Sequence, residues 1–390
     1  MAELLSPVKQ AAGKQSASLR ICLVIGQLGL GGAEKQVALL AEGLLRQGAE
    51  VTVAVLTGEG PREAALVAAG VRVVHLGRNR PHASVARKLL ALPGVMLRLA
   101  WHLRRTRPQV VHAFLYHAYV LGAVAARLTR VPVFVAGRRG LAGPERDRWY
   151  AVAAHALASR TADLQVANAH AVAEYVHEAE GAPDDRLEVI YNGLPPSAFA
   201  SASPARLNTS RPVVLCVANL RRVKGHAELL EAVALLRDRG RPCTLALAGE
   251  GPERGALNRR ASELGVDVRL LGSRTDVDRL LARADAVVLP SLGEGMSNAV
   301  MEAMAAGKPV VATAVGGTPE LLADGRGLLV PPGDPVRLAD ALGAVLNDPE
   351  RAALMGFEAR EWSRRNLTAD TMVQRHVALY RRLVDRRCAG

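Results

Sequence analysis

Ser291-Leu-Gly-Glu-Gly-Met-Ser-Asn-Ala-Val-Met-Glu-Ala-Met-Ala-Ala-Gly-Lys-Pro-Val-Val-Ala-Thr313 is the stretch on which the reading of this chain turns. The run Asp285-Ala-Val-Val-Leu-Pro290 precedes it, and it ends in Pro309-Val-Val-Ala-Thr313. Short apolar runs bounded by proline and glycine read as buried strands. Between them lie a glycine-containing loop and a short helical segment. This strand–loop–helix–strand order places Glu294 and Glu302 at the carboxyl edge of a parallel sheet, where open α/β folds bind ligands.

The spacing predicts a helix starting near Ser297. Glu294 then lies in the loop, and Glu302 lies on the same helical stripe as Asn298. The amides of Gly295, Met296, Ser297 and Asn298 are the unpaired donors of a first turn and favour an anion. Amides can take phosphate or sugar oxygens, and carboxylates can accept from hydroxyls, so the run suits a phosphorylated sugar. The residues alone leave open an ordinary solvated helix start, where acids are common.

The same alternation extends outward in both directions. Strand-like runs fall at 20–26, 51–56, 71–76, 110–113, 131–135, 163–167 and 187–190, with helical spacing between most of them. The pattern pauses over 192–212, which holds Pro195, Pro196 and Pro204, and restarts with strands at 212–217, 244–248, 267–271, 285–289 and 310–312. Alternating strands and helices argue for parallel sheets covered on both faces. The expected organisation is a polar tail at 1–19, a Rossmann-like domain at 20–195, a linker at 196–211, a second Rossmann-like domain at 212–366 and a terminal helical segment at 367–390. Two such domains face each other across a cleft.

Composition agrees with this α/β reading. The 390 residues are 49% hydrophobic but only 3% aromatic, so two cores must be built mainly of Ala, Val and Leu. Cys22, Cys216, Cys243 and Cys388 are dispersed without zinc spacing and read as reduced thiols. The first nineteen residues lack the apolar core of a signal peptide, and no apolar run is long enough to cross a membrane. The expectation is a cytoplasmic protein, or one lying on the inner membrane face.

The net charge of +13 implies an acidic partner. One basic cluster runs from Arg78 through Arg80, Arg87, Lys88, Arg98, Arg104 and Arg105 to Arg107, and a second comprises Arg138, Arg139, Arg146 and Arg148. Apolar residues recur through 83–107 at helical spacing, and Pro93-Gly94 predicts two short helices there. A basic amphipathic segment suits an anionic membrane surface, and an ordinary sheet-covering helix stays open as the alternative. No nucleic-acid partner is expected, because neither interleaved aromatics nor a nucleic-acid motif is present.

A set of motifs in fixed order carries a resemblance. The pieces are Gly-Glu-Gly-Pro at 249–252, Leu271-Gly272, Pro290-Ser291, Glu294 to Glu302, Ala306-Gly-Lys-Pro309, Gly316-Gly-Thr-Pro-Glu320 and Leu329-Val-Pro-Pro332. Together they resemble the carboxyl-terminal domain of retaining nucleotide-sugar glycosyltransferases of GT-B architecture, the large Glu-x7-Glu or "group 1" family (glycosyltransferase family 4). The resemblance implies metal-independent transfer of a hexosyl unit from a UDP- or GDP-linked sugar to a glycan or lipid-linked acceptor, with no cofactor. It also implies that the end of the chain returns to the first domain. A nucleotide-sugar epimerase on the same fold, or a non-catalytic nucleotide-sugar- or nucleic-acid-binding protein, are the alternatives.

The resemblance also assigns sites. Gly31 and Gly32, in Gly-Gly-Ala-Glu34, approach the donor phosphates, as does Gly249. Gly29 and Gly31 alone do not make a dinucleotide fingerprint, because Glu34 stands at the third glycine position. Glu302 takes the ribose hydroxyls and Glu294 the sugar ring. Lys224, in Lys-Gly225, matches a cation that meets the charge growing on the leaving diphosphate. Asn219 stands where the family usually has arginine, so Arg221 or Arg222 is the substitute. His112, which ends a strand, and His117, in the loop that follows, are acceptor candidates, with a core or capping histidine as the alternative. Arg138 and Arg139 stand where many members have a histidine, and are candidates for a charged acceptor or the phosphates. Asp276-Val-Asp278 is formally a metal motif, but reads here as helix capping.

Overall fold

The structure is a computed structural model that describes residues 18–77, 85–140, 156 and 159–389, with the side chains of 85–91 not described. Arg78, Arg80, Arg146, Arg148 and residues 1–17 of the polar tail lie outside the described residues, and so do the side chains of Arg87 and Lys88.

The first sheet contains β1 (Arg20–Ile25), β2 (Glu50–Val55), β3 (Arg72–His75), β4 (Val110–Phe114), β5 (Val133–Arg138), β6 (Leu164–Ala167) and β7 (Leu187–Val189). The second contains β8 (Val213–Val217), β9 (Thr244–Ala248), β10 (Val268–Gly272), β11 (Ala286–Leu289), β12 (Val310–Thr313) and β13 (Leu328–Val330). Strand orders are 3-2-1-4-5-6-7 and 10-9-8-11-12-13, and every named pairing is parallel. The order reverses between β1 and β4 and between β8 and β11, which opens a crevice at the carboxyl ends of those strands.

Both faces of each sheet are covered, as the near-continuous apolar strands require. In β1, Ile21, Leu23 and Ile25 join one core, while Cys22 and Val24 join the core on the opposite face. Among the described residues the α-helices are α1 (Gly32–Arg46), α2 (Glu63–Ala68), α3 (Val85–Thr106), α4 (Tyr116–Thr129), α5 (His170–Glu180), α6 (His226–Asp238), α7 (Arg254–Leu264), α8 (Val277–Arg283), α9 (Asn298–Ala305), α10 (Thr318–Leu322), α11 (Pro335–Asn347), α12 (Pro349–Asn366) and α13 (Ala369–Ala389).

The fold departs from the sequence reading in three places. Residues 85–106 form one helix with Pro93 inside it, not two. Val95, Leu99 and Leu103 recur down one side and are buried against the sheet, and that burial outweighs the hydrogen bond proline removes. Strand β5 runs on to Arg138, which therefore belongs to the sheet and not to a loop. Residues 328–330 add a strand, β13, at the edge of the second sheet.

Two chain segments cross between the sheets side by side. Leu194 donates to Leu367 O at 2.7 Å, and Ala369 donates to Leu194 O at 2.8 Å. Residues 196–211 form an ordered strap: Phe199 and Leu207 pack on the second core, and Ala205 donates to Arg279 O at 2.9 Å. Helix α13 lies against the first sheet, with Met372, Val373, Leu379 and Tyr380 in its core. Burying side chains of that size contributes roughly 1.5–3 kcal/mol each. Gly43 of α1 makes the approach possible, since a Cβ there would stand 2.2 Å from Val373 Cγ2.

Candidate functional site

The β11–α9 loop is built from three short supports. Ser297 caps α9, its hydroxyl accepting from Val300 N at 3.4 Å. Glu294 turns back toward β11, where Ser291 Oγ donates to its Oε1 at 2.7 Å. Lys224 Nζ meets the same oxygen at 2.5 Å. The glutamate side chain is only 10% exposed, so a nearby cation offsets the desolvation of its charge.

Lys224 reaches that place because its own turn is clamped to the loop. Leu292 donates to Val223 O at 2.8 Å. Gly225 adopts φ 68°, and a Cβ there would stand 1.9 Å from Pro290 O. Only glycine satisfies both conditions. Arg221 and Arg222 are exposed beside the turn, and neither side chain bonds to a described residue. Gly249 ends the neighbouring strand β9 and bridges to Gly272. Met296 is buried beneath the loop.

Among the described residues, nothing accepts from the amides of Met296, Ser297 or Asn298. They open α9 beside Lys224, and make one positive, hydrogen-bond-donating lip of the crevice. The other lip is the start of α1. Its Gly31 cap has no side chain, so that helix start, unlike that of α9, lacks a side-chain cap.

The two lips touch. Asn298 Nδ2 donates to Gly32 O at 3.1 Å, and Asn298 Oδ1 accepts from Gln36 and Asn192, each at 3.1 Å. A Cβ on Gly32 would stand 2.8 Å from Asn298 Nδ2, so a larger residue there would make the Asn298 amide shift. The side chain of Asn298 is thus spent on the domain interface. One turn further along α9, Glu302 Oε1 meets Lys35 Nζ of α1 at 2.5 Å. The sequence assigns no site role to Lys35, Gln36 or Asn192, and names Ser291 only as part of the Pro290-Ser291 motif. Lys35 directly follows the Gly-Gly-Ala-Glu motif, which was the available signal.

Of the acceptor candidates, His112 and Arg138 are buried and Arg139 is half-buried. His112 is fully buried in β4, stacked on Phe114 at 4.0 Å, with Nδ1 2.6 Å from Tyr380 Oη. Helix α13 covers it, and burial together with His376 and Arg139 pushes its pKa well below the usual range. Arg138 is buried, ion-paired with Glu180 and 5.0 Å over the Tyr119 ring. Its charge is satisfied inside the first domain. Arg139 lies 5.1 Å over the Phe114 ring and donates to Asn192 Oδ1 at 2.7 Å. Burial lowers its pKa to about 10, and its Nε and Nη2 are buried with no partner among the described residues. His117 alone of this group is exposed, in the first turn of α4 after β4.

Asp276 does not cap α8. It forms a two-pronged pair with Arg274 at 2.8 and 2.7 Å, which holds its carboxyl below its ordinary pKa. Among the described residues no group of three His, Cys, Asp or Glu is placed to hold a metal.

Comparison with known proteins gives the following. Residues 30–198 match the family described as Glycosyltransferase Family 4, and 211–348 match that described as Glycosyl transferases group 1. The lipopolysaccharide core biosynthesis glycosyltransferase LpsE of Rhizobium meliloti is 30% identical over 326 residues, covering 82% of this chain and 86% of that protein. A GDP-mannose-dependent alpha-(1-6)-phosphatidylinositol monomannoside mannosyltransferase of Mycolicibacterium smegmatis is 34% identical over 200 residues, 46% of this chain and 52% of that protein. The match thus spans about half the length of that relative. Among solved structures, Anabaena HepE in complex with UDP and glucose superposes with a TM-score of 0.80 at 25% identity, over 93% of this chain and 99% of that one.

Proposed function

This chain belongs to the group 1 family of glycosyltransferases, and from that premise we propose that it transfers a hexosyl unit, with retention and without a metal, from a UDP- or GDP-linked sugar to a glycan or lipid-linked acceptor. The observation that carries the reading is the Glu294–Lys224 pair beside the unpaired amides of Met296, Ser297 and Asn298, at the strand-order reversal of the second sheet.

In this scheme the diphosphate sits between the two lips. The amides of α9, Lys224 and Arg221 meet its oxygens, and their charge matters most as negative charge grows on the leaving group. Glu302 accepts from the ribose hydroxyls. Glu294, held by Ser291 and Lys224, orients the sugar ring and favours positive charge on it. The acceptor oxygen forms its bond to the anomeric carbon on the face from which the phosphate oxygen departs. That phosphate oxygen takes the acceptor's proton, so atoms and charge balance without a base from the protein. His117, exposed in the first turn of α4, is the residue proposed to meet the acceptor.

A membrane surface is supported by α3 and α4. Leu97 and Trp101 are 70% and 63% exposed on α3, and Leu128 is 60% exposed on α4. Arg104, Arg105 and Arg127 are exposed on the same two helices, and Arg104 donates to Leu128 O across them. Apolar side chains among exposed arginines suit an anionic bilayer, and a lipid-linked acceptor would be presented there. Among the described residues no helix is long and apolar enough to cross a membrane.

The direct test is a thermal-shift panel of UDP-, GDP- and ADP-sugars against the purified protein. Stabilisation by one nucleotide class is expected. No stabilisation by any of them would overturn the reading.

A further inference from the structure

The carboxylate of Glu302 is not bare. Lys35 reaches it across the crevice from the first turn of α1, and the two side chains are 27% and 17% exposed. The contact is one of a set: Gly32 and Gln36 of α1 both bond to Asn298, four residues before Glu302 on α9. One stripe of α1 therefore faces one stripe of α9, and the ion pair is a part-buried member of that set. Among the described residues only one oxygen of Glu302 is engaged.

A nucleotide ribose presents two adjacent hydroxyls, each both a donor and an acceptor. A carboxylate can satisfy the donors but leaves the hydroxyl lone pairs unmatched. An ammonium that gives one proton to the carboxylate keeps two for those oxygens. We propose that Lys35 and Glu302 together grip the ribose diol, which makes Lys35 a specificity-determining residue for ribonucleotide over 2′-deoxyribonucleotide donors. This rests on the assignment of Glu302 to the ribose, and adds to it a residue from the opposite domain. Removing one hydroxyl would leave part of a charged, partly desolvated pair unmatched, and such sites discriminate strongly. The diol would also be held from both domains at once, tying nucleotide binding to the approach of the two lips.

The test is calorimetric titration of the full chain with UDP, GDP and their 2′-deoxy counterparts, for the wild type and for Lys35→Met, Lys35→Arg and Glu302→Gln. The wild type should favour the ribonucleotide by about tenfold or more. Lys35→Met should weaken ribonucleotide binding by about tenfold and bring the two forms within about threefold of each other, while Lys35→Arg restores most of the preference. Circular dichroism confirms that each variant is folded. An unchanged ribo/deoxy ratio in Lys35→Met overturns the proposal. Tighter binding by Lys35→Met also overturns it, because the ion pair would then be a latch that nucleotide has to break. If Glu302→Gln leaves affinity untouched, the ribose assignment itself falls. If Glu302→Gln weakens binding and Lys35→Met does not, only the role of Lys35 falls.

Discussion

Glu320 of the second domain caps a helix of the first. Its Oε2 accepts from His170 N and its Oε1 from Ala171 N, both at 2.9 Å, at the start of α5. Tyr191 Oη donates to the same carboxylate at 3.1 Å. Burial and this carboxylate raise the tyrosine pKa to about 12. A helix start prefers a negative charge, and here the charge comes from the facing domain. The contact therefore holds the two halves in register as well as capping α5.

Glu320→Ala should cost about 1 kcal/mol or more in denaturant unfolding, the usual value of a lost cap. It should also widen the nucleotide-free particle in small-angle scattering. An unchanged radius with an unchanged midpoint would show that the contact does not restrain the domains.

Gly225→Ala tests the clamp that presents Lys224. The alanine would carry a left-handed backbone and a Cβ within 1.9 Å of Pro290 O. A loss of about 2 kcal/mol or more is expected, together with a marked fall in turnover as Lys224 leaves Glu294. A variant with wild-type stability and turnover would show that the loop needs no glycine.

Acid should act through the two histidines buried where α13 meets the first sheet, His376 on the helix and His112 in β4. Burial lowers the His376 pKa to about 3 and takes His112 well below its ordinary 6.5. The unfolded chain protonates both near pH 6.5, while the folded chain resists. Their contribution is thus present in full above pH 6.5 and is lost as pH falls toward the folded values. Each group should remove about 1.4 kcal/mol per pH unit once well below 6.5. Urea unfolding between pH 7 and 5 should show this slope, and a His112→Gln/His376→Gln double variant should flatten it. An identical slope in the double variant would contradict the assignment.

Turnover should survive a strong chelator, because the proposed chemistry places its positive charge on Lys224, Arg221 and helix amides. Activity lost on chelation and regained with a divalent cation would reopen Asp276 and Asp278, despite the Arg274 pairing.

Flotation with liposomes should require anionic lipid and weaken as salt rises. Replacing Leu97 and Trp101 by serine should reduce it further. Binding to neutral liposomes with no salt dependence would argue against an electrostatic dock on α3 and α4.

Much of the architecture was legible because the signals are local. Strand periodicity, the restart after Pro212, the Ser297 cap and the glycines around Glu294 each span a few residues, and burial on both sheet faces explains the apolar runs. The helix at 85–106 was misread, because the Pro93-Gly94 pair is also local, while the burial of Val95, Leu99 and Leu103 is not. Similarly, Arg138 and His112 were placed at the right edge of the sheet, but their surroundings depend on α5 and α13, which arrive from elsewhere in the chain.

By itself, then, the amino-acid order determined two parallel sheets and a pair of acids one loop and one helical turn apart. Tertiary structure alone decided which polar groups meet: Lys35 with Glu302 across 267 positions, Glu320 with the start of α5, Arg138 with Glu180, and His112 with Tyr380. Propensity and periodicity act over a few residues, whereas these partners are set by long-range packing: of α5 and α13 on the first sheet, and of the two domains through the crossing segments at Leu194 and Ala369.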